Sequence, residues 1–306
     1  MNDAASIKSL KYKRKTMLSK EDKQKIADAL RMKMDTEKLS QKVVERASGV
    51  SLTNVNHIFN GKWYDKVIGD IQWIRIAEWL GIALEGESWV LVNTKNFKRI
   101  TNMCVDAQRN GIMYMISGKQ GSGKSASLRN HTRNNSANTF YIECHAHWGK
   151  KDFLNELKKR LGLDVTPESI NDMVTAIVNF LKKTIKPLVI IDEADELKEG
   201  VFGFIKSLYN LLDEHCGFII CGGLHLRKRM DKGVKLAKQS YCEIFSRCGG
   251  EMRGMHEITE GEIEAICKAN GLIEGPDVQE VINSANNDLR RVERRIHSIK
   301  LLKQVA

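Results

Sequence analysis

The chain has 306 residues, 42% of them apolar, and carries 49 Lys and Arg against 38 Asp and Glu, a net charge of +11. It can bury a core and is long enough for two or three domains, and its excess positive charge points either to a polyanionic partner or to a basic surface without one. Seven scattered cysteines, never spaced C-x-x-C, argue against a disulfide framework or a zinc knuckle, and the Lys-rich start, with no long apolar run after it, argues against a signal peptide or a membrane span.

Residues 1–25 read as a basic arm. Lys8, Lys11, Lys13, Arg14, Lys15, Lys20, Lys23 and Lys25 face only Asp3, Glu21 and Asp22. Residues 26–88 read as a compact helical domain. Ser40 to Ala47 fits a short helix with Val43, Val44 and Ala47 inward. Gly49 suits a left-handed turn, and Ser51 can cap a second helix, Leu52–Phe59, stopped by Asn60-Gly61. Trp73, Ile76, Ala77 and Leu80 recur at helical spacing before Gly81. This pattern resembles the helix-turn-helix of phage-repressor-like proteins. The resemblance places Thr53, Asn54, Asn56 and His57 on the outer face of a recognition helix, where they could meet DNA; a small protein–protein module is the alternative.

After a linker at 86–98, residues 92–258 alternate strands with helices, the pattern of a parallel sheet between helical layers. The expected strands are Met113–Ile116, Thr139–Ile142, Leu188–Ile191, Phe218–Cys221 and Met255–Ile258. Helices are expected at Phe153–Leu161 and Ile170–Lys183, the second with Ile170, Met173, Val174, Ile177, Val178 and Leu181 in one stripe. Thr259-Glu260-Gly261-Glu262 is a capping box that opens a C-terminal helical region, 259–306, ending in a basic helix, Leu289–Lys303.

Gly118-Lys119-Gln120-Gly121-Ser122-Gly123-Lys124-Ser125 is the stretch that carries most chemistry. It lies between a strand and a helix, as a phosphate-binding loop must. Gly121 and Gly123 allow close backbone approach, and the N–H groups from Gly118 through Ala126, Ser122 among them, can cradle an anion at the helix start. Lys124 adds a cation for the β- and γ-phosphates, and Ser125 a hydroxyl for Mg²⁺. Leu188-Val189-Ile190-Ile191 then leads into Asp192-Glu193 at the carboxyl end of a buried strand, where α/β sheets hold ligands. Asp192 suits Mg²⁺, and Glu193 suits the polarisation of an attacking water.

These motifs, followed by G-F-I-I-C-G-G, I-F-S-R and D-L-R-R, resemble those of AAA+ ATPases. With the helix-turn-helix in front, their order is similar to the ATP-dependent target-selector ATPases of transposons, the family of the B transposition protein of phage Mu. The resemblance implies a three-layer P-loop AAA+ fold with a small C-terminal helical lid, using ATP and Mg²⁺. It makes Arg247 an arginine finger for a neighbouring subunit's γ-phosphate and Arg290 a second sensor on the lid. It further implies a cytoplasmic protein that forms a homo-oligomer or filament on double-stranded DNA and recruits or activates a transposase. Lys150, Lys151, Arg227 and Arg229 are then candidates for phosphate contacts. Where the family places a polar sensor, this chain has Gly222-Gly223, with His225 as the substitute to hand. That departure keeps open a regulator using the nucleotide as a switch, and a helicase-loading ATPase is a third reading.

Overall fold

The computed structural model describes residues 18–64, 68–82, 89–165, 168–212 and 214–305. Most of the basic arm and the first part of the expected linker, residues 86–88, lie outside them. The chain divides into two units, residues 1–87 and 88–306.

Among the described residues the first unit holds four helices: α1 (Lys20–Thr36), α2 (Gln41–Ser48), α3 (Leu52–Phe59) and α4 (Asp70–Leu80). Ser19 opens α1 with a reciprocal capping box to Asp22. Gly49 takes a left-handed φ of 69° at the end of α2, and the Ser51 hydroxyl accepts the Asn54 N–H at the start of α3. The Glu45 carboxylate of α2 accepts the Leu52 N–H at 2.8 Å, so one side chain fixes the angle between α2 and α3. Val44, Val55, Ile58, Trp73, Ile76 and Trp79 meet in a common core with Ile26 and Leu30 of α1.

The second unit is a five-stranded, all-parallel sheet in the order β2-β3-β4-β1-β5. The strands are β1 (Met113–Ser117), β2 (Thr139–Glu143), β3 (Leu188–Asp192), β4 (Gly217–Gly222) and β5 (Met252–Gly254). Four match the expected strands to within a residue at each end. The fifth does not: Met252–Gly254 pairs with Met115–Ser117, whereas Met255–Ile258 runs on beyond the sheet. There the Met255 side chain packs against Gly118, and the backbone at His256 bonds both ways with the Asn96 side chain.

Helices α5 (Lys95–Asn110) and α6 (Lys124–Asn134) pack on one face of the sheet around Ile116, Ile190, Ile219 and Cys221. Helices α7 (Lys150–Leu161), α8 (Ile170–Lys183), α9 (Glu199–Leu212), α10 (Leu224–Lys235) and α11 (Gln239–Arg247) share the larger core on the other face with Phe140, Ile142, Ile191 and Phe218. Strands buried on both faces read as continuous apolar runs for this reason. Helices α12 (Glu260–Ala269), α13 (Gly275–Ala285) and α14 (Leu289–Val305) form a third cluster around Ile266, Val281, Val292 and Ile296. Trp89 and Val92 pack into that cluster, and the Asn270 side chain pairs with both the N–H and the C=O of Val90. The segment expected as linker is thus, from Trp89 onward, a strap joined to the helical lid. Among the described residues no helix is long and apolar enough to cross a membrane.

Candidate nucleotide-binding site

Strand β1 ends at Ser117 and α6 begins at Lys124, so the loop between them sits at the carboxyl edge of the sheet. Gly121 and Gly123 have φ of 73° and 84°, conformations that L side chains rarely adopt. No side chain caps α6, so its first-turn N–H groups face the cleft as an anion site. The Lys124 ammonium, nearly buried, donates to the carbonyls of Gly118 and Lys119, each at 2.9 Å. A phosphate oxygen is a stronger acceptor than either carbonyl. The fit to a nucleotide phosphate is therefore good in shape and in charge.

Asp192 closes β3 beneath α6 and is 1% exposed. Its Oδ2 accepts the Tyr141 hydroxyl at 2.7 Å, and its Oδ1 the Glu193 N–H at 3.0 Å. Together with the Ser125 hydroxyl this is an all-oxygen donor set suited to Mg²⁺. Glu193 follows with φ of 53°, a left-handed conformation costing on the order of 1 kcal/mol in a non-glycine residue. Burial, and the charges of Asp192 and Asp195 beside it, hold the Glu193 carboxyl above its usual range, against the pull of Lys124. Burial and the neighbouring Asp192 charge likewise push the Tyr141 phenol up, so it remains a donor, and the buried Cys221 thiol rises for the same reasons.

Gly121, Ser122, Gly123, Lys124, Ser125, Ala126, Glu193 and Arg290 line one cleft of about 290 Å³. Gly118 lies just below it, under Met255, where an added Cβ would sit 2.6 Å from the Met255 side chain. Arg290 reaches the cleft from α14, whereas Arg295 pairs with Glu280. The lid is tied directly to the loop: the Leu289 N–H donates to the Gly121 carbonyl at 2.9 Å. The other half of the cleft is apolar and comes from places that carry no motif. Trp89, Val90, Val92 and Phe97 form a wall with Ile266 and Leu289 of the lid. Arg129, Asp195 and Gly223 complete the phosphate end. The Gly223 N–H donates to Asp195, and His225, exposed, does not line the cleft. His225 therefore does not stand in for the polar sensor.

Arg247 is exposed at the end of α11 and lies outside the cleft of its own chain. Thr53 and Asn56 are exposed on α3, with Asn54 and His57 half-buried beside them, and Asn56 donates to Gln41 at 3.1 Å. Lys150 and Lys151 are exposed at the start of α7. Arg227 and Arg229 are not free in this way. Arg227 donates to the Met252 carbonyl at 2.6 Å. Arg229 donates to the Tyr241 hydroxyl and to the carbonyls of Asp195 and Leu197, and its guanidinium lies 4.6 Å from the Phe202 ring centre. The exposed cations of α10 are instead Lys228, Lys232 and Lys235.

The parallel sheet and the loop between β1 and α6 match the P-loop AAA+ fold. Residues 107–230 match the family model described as AAA domain. No curated protein matches the chain. Among solved structures it is similar to AMPPCP-bound DnaA from Aquifex aeolicus, at 15% identity and a TM-score of 0.48, covering 69% of this chain and 63% of that one. It is also similar to a DNA replication initiation factor, at 16% identity and a TM-score of 0.47, covering 69% and 63%. A third is the Thermotoga maritima RuvB Holliday junction branch migration motor, at 14% identity and a TM-score of 0.45, covering 70% and 64%. The chain thus spans somewhat less than two thirds of each of these.

Proposed function

We propose that this protein is an Mg²⁺-dependent ATPase that assembles on double-stranded DNA in its ATP-bound form and is released by hydrolysis. The observation that carries this reading is the convergence of Lys124, Ser125, Glu193 and Arg290 on one cleft, with Asp192 fixed beneath it. Bound Mg²⁺ would be held by Ser125 and Asp192 and would neutralise charge on the phosphates. Lys124 and the loop N–H groups hold those phosphates, and the apolar wall at Trp89–Phe97 faces the base. Glu193 is placed to orient a water. Arg247, exposed and outside the lining of its own cleft, suits a finger offered to the next subunit, so a complete site needs two copies.

DNA as the polyanion is supported by the net charge and by exposed lysines on α7 and α10. The recruitment or activation of a transposase rests on the order of motifs, a helix-turn-helix pattern followed by an AAA+ core. Gly223, which offers no polar side chain to the cleft, favours a second reading in which turnover is slow and the nucleotide acts as a switch.

The test is ATPase rate and sedimentation, with and without double-stranded DNA, for the wild type, Lys124→Ala and Glu193→Gln. Lys124→Ala should lose nucleotide-dependent assembly, and Glu193→Gln should bind ATP and stay on DNA longer. Assembly of Lys124→Ala with ATP at wild-type levels would sink the proposal. A Glu193→Gln variant with unchanged DNA lifetime, beside a wild type that barely turns over, would establish the switch reading instead.

A further inference from the structure

The polar groups under α6 form a continuous chain that no phosphate-loop motif includes. Strand register puts Glu143 of β2 beside Asp192 of β3. Side chains alternate along a strand, so Tyr141 and Glu143 share the α6 side of the sheet with Ile190 and Asp192. Arg129 of α6 pairs with Glu143 at 2.8 Å, and its guanidinium carbon lies 5.6 Å from the Tyr141 ring centre. The Tyr141 hydroxyl then donates to Asp192 Oδ2 at 2.7 Å.

A carboxylate that is 1% exposed needs hydrogen-bond donors in place of water, and a carboxylate that binds a metal needs a fixed plane. At Asp192 one oxygen is occupied by Tyr141. The other receives the main-chain N–H of Glu193 at 3.0 Å, which leaves it further acceptor capacity. Rotation of the carboxylate would break the Tyr141 bond inside a poorly solvated site. The ring is held in turn by packing under α6 and by Arg129.

We propose that Tyr141 is a positioning residue, which fixes the Asp192 carboxylate so that Oδ1 is presented to the divalent cation of the bound nucleotide, with the Arg129–Glu143 pair holding the Tyr141 ring in place. The inference rests on the reading of the cleft as an Mg²⁺–nucleotide site. It concerns only how this chain prepares its metal ligand.

The experiment measures the dissociation constant of a fluorescent ATP analogue in EDTA and in Mg²⁺, so that the ratio gives the gain due to the metal. Tyr141→Phe removes one hydroxyl and keeps the ring. Its EDTA constant should stay within about two-fold of wild type, which also reports that the fold and the phosphate loop are intact. Its gain from Mg²⁺ should fall roughly ten-fold, the scale for losing a group that orients a metal ligand. Tyr114→Phe is the control, because Tyr114 bonds Asp106 at the other end of the sheet and should change neither value. A Tyr141→Phe gain equal to that of wild type would overturn the assignment of Tyr141 while leaving the nucleotide site standing. A wild type that binds the analogue equally in EDTA and in Mg²⁺ would overturn the metal-site reading and this inference with it.

Discussion

His131 shows how one buried side chain sets a pH limit on the domain. It sits on α6, 3% exposed, and its Nε2 has no hydrogen-bond partner among the described residues. Burial lowers it from 6.5 to about 4, so the folded protein keeps the ring neutral where the unfolded chain takes up a proton. The associated stability is complete above pH 6.5 and is lost as pH falls toward 4. Over that window the loss is about 3 kcal/mol. Urea unfolding at pH 7 and pH 4 should show the wild type losing about that much more than His131→Leu. Equal losses would mean that the ring is solvated or paired in solution. Gly121 is a second sensitive residue: its φ is positive, and an added Cβ would lie 1.8 Å from the Asp288 carboxylate at the foot of α14. Gly121→Ala should lower nucleotide affinity and loosen the lid together, both measurable by analogue binding and by proteolysis within the lid.

At the scale of elements, α7 and the segment entering α8 are joined by a buried cation. Lys158 is 2% exposed and pairs at 2.7 Å with Glu168, which is itself 29% exposed. Stranding one charge of a pair is costly in proportion to its burial: losing Lys158 leaves a carboxylate that water can reach, whereas losing Glu168 leaves a buried cation. Lys158→Met should therefore change stability by less than about 1 kcal/mol, and Glu168→Ala should cost about 2 kcal/mol, less than for a fully buried pair because Glu168 is partly solvated. Denaturant midpoints distinguish the two, and equal effects would show that the pair adds nothing specific. The elements that were legible in the sequence have strong local signals. Ile170–Lys183 coincides with α8, because its apolar stripe repeats at helical spacing over three turns. Ser51 and Gly49 mark the ends they were expected to mark. The strand–loop–helix at Gly118–Ser125 and the place of Asp192 and Glu193 at the end of β3 were legible because positive φ favours glycine and a strand buried on both faces reads as an apolar run. Strand β5 was not, since three residues are too short to show alternation. Nor was the apolar wall at Trp89–Phe97, which becomes part of the cleft only when Asn270 clips Val90 to the lid. Arg229 looked free in a basic run because the aromatic rings that hold it, Phe202 and Tyr241, come from other helices.

At the scale of the whole molecule, the net charge of +11 is what supports the proposed DNA partner, and it decides how that partner can be tested. Lys228, Lys232 and Lys235 recur at i, i+4 and i+7 on α10, exposed and without an ion pair among the described residues; Asp231 is the acid beside them. They span about 10 Å along the helix, comparable to three phosphate-to-phosphate steps of one DNA strand at about 3.4 Å each along the axis. Each phosphate neutralised adds about 0.9 to the slope of log affinity against log salt. If the protein holds DNA here, replacing all three lysines by Gln should reduce that slope by up to about 2.7 while nucleotide binding is unchanged. Substituting Asn54 or His57 on α3 should instead alter preference among sequences and leave the slope nearly as it was, because base contacts specify and phosphate contacts position. Arg227→Gln, which removes a group bonded to the Met252 carbonyl, should lower stability more than it lowers the slope. Binding isotherms at several salt concentrations, on two unrelated duplexes, separate these outcomes. An unchanged slope in the triple lysine variant would move the DNA surface away from α10, leaving Lys150, Lys151 and the cations of the first unit to account for it.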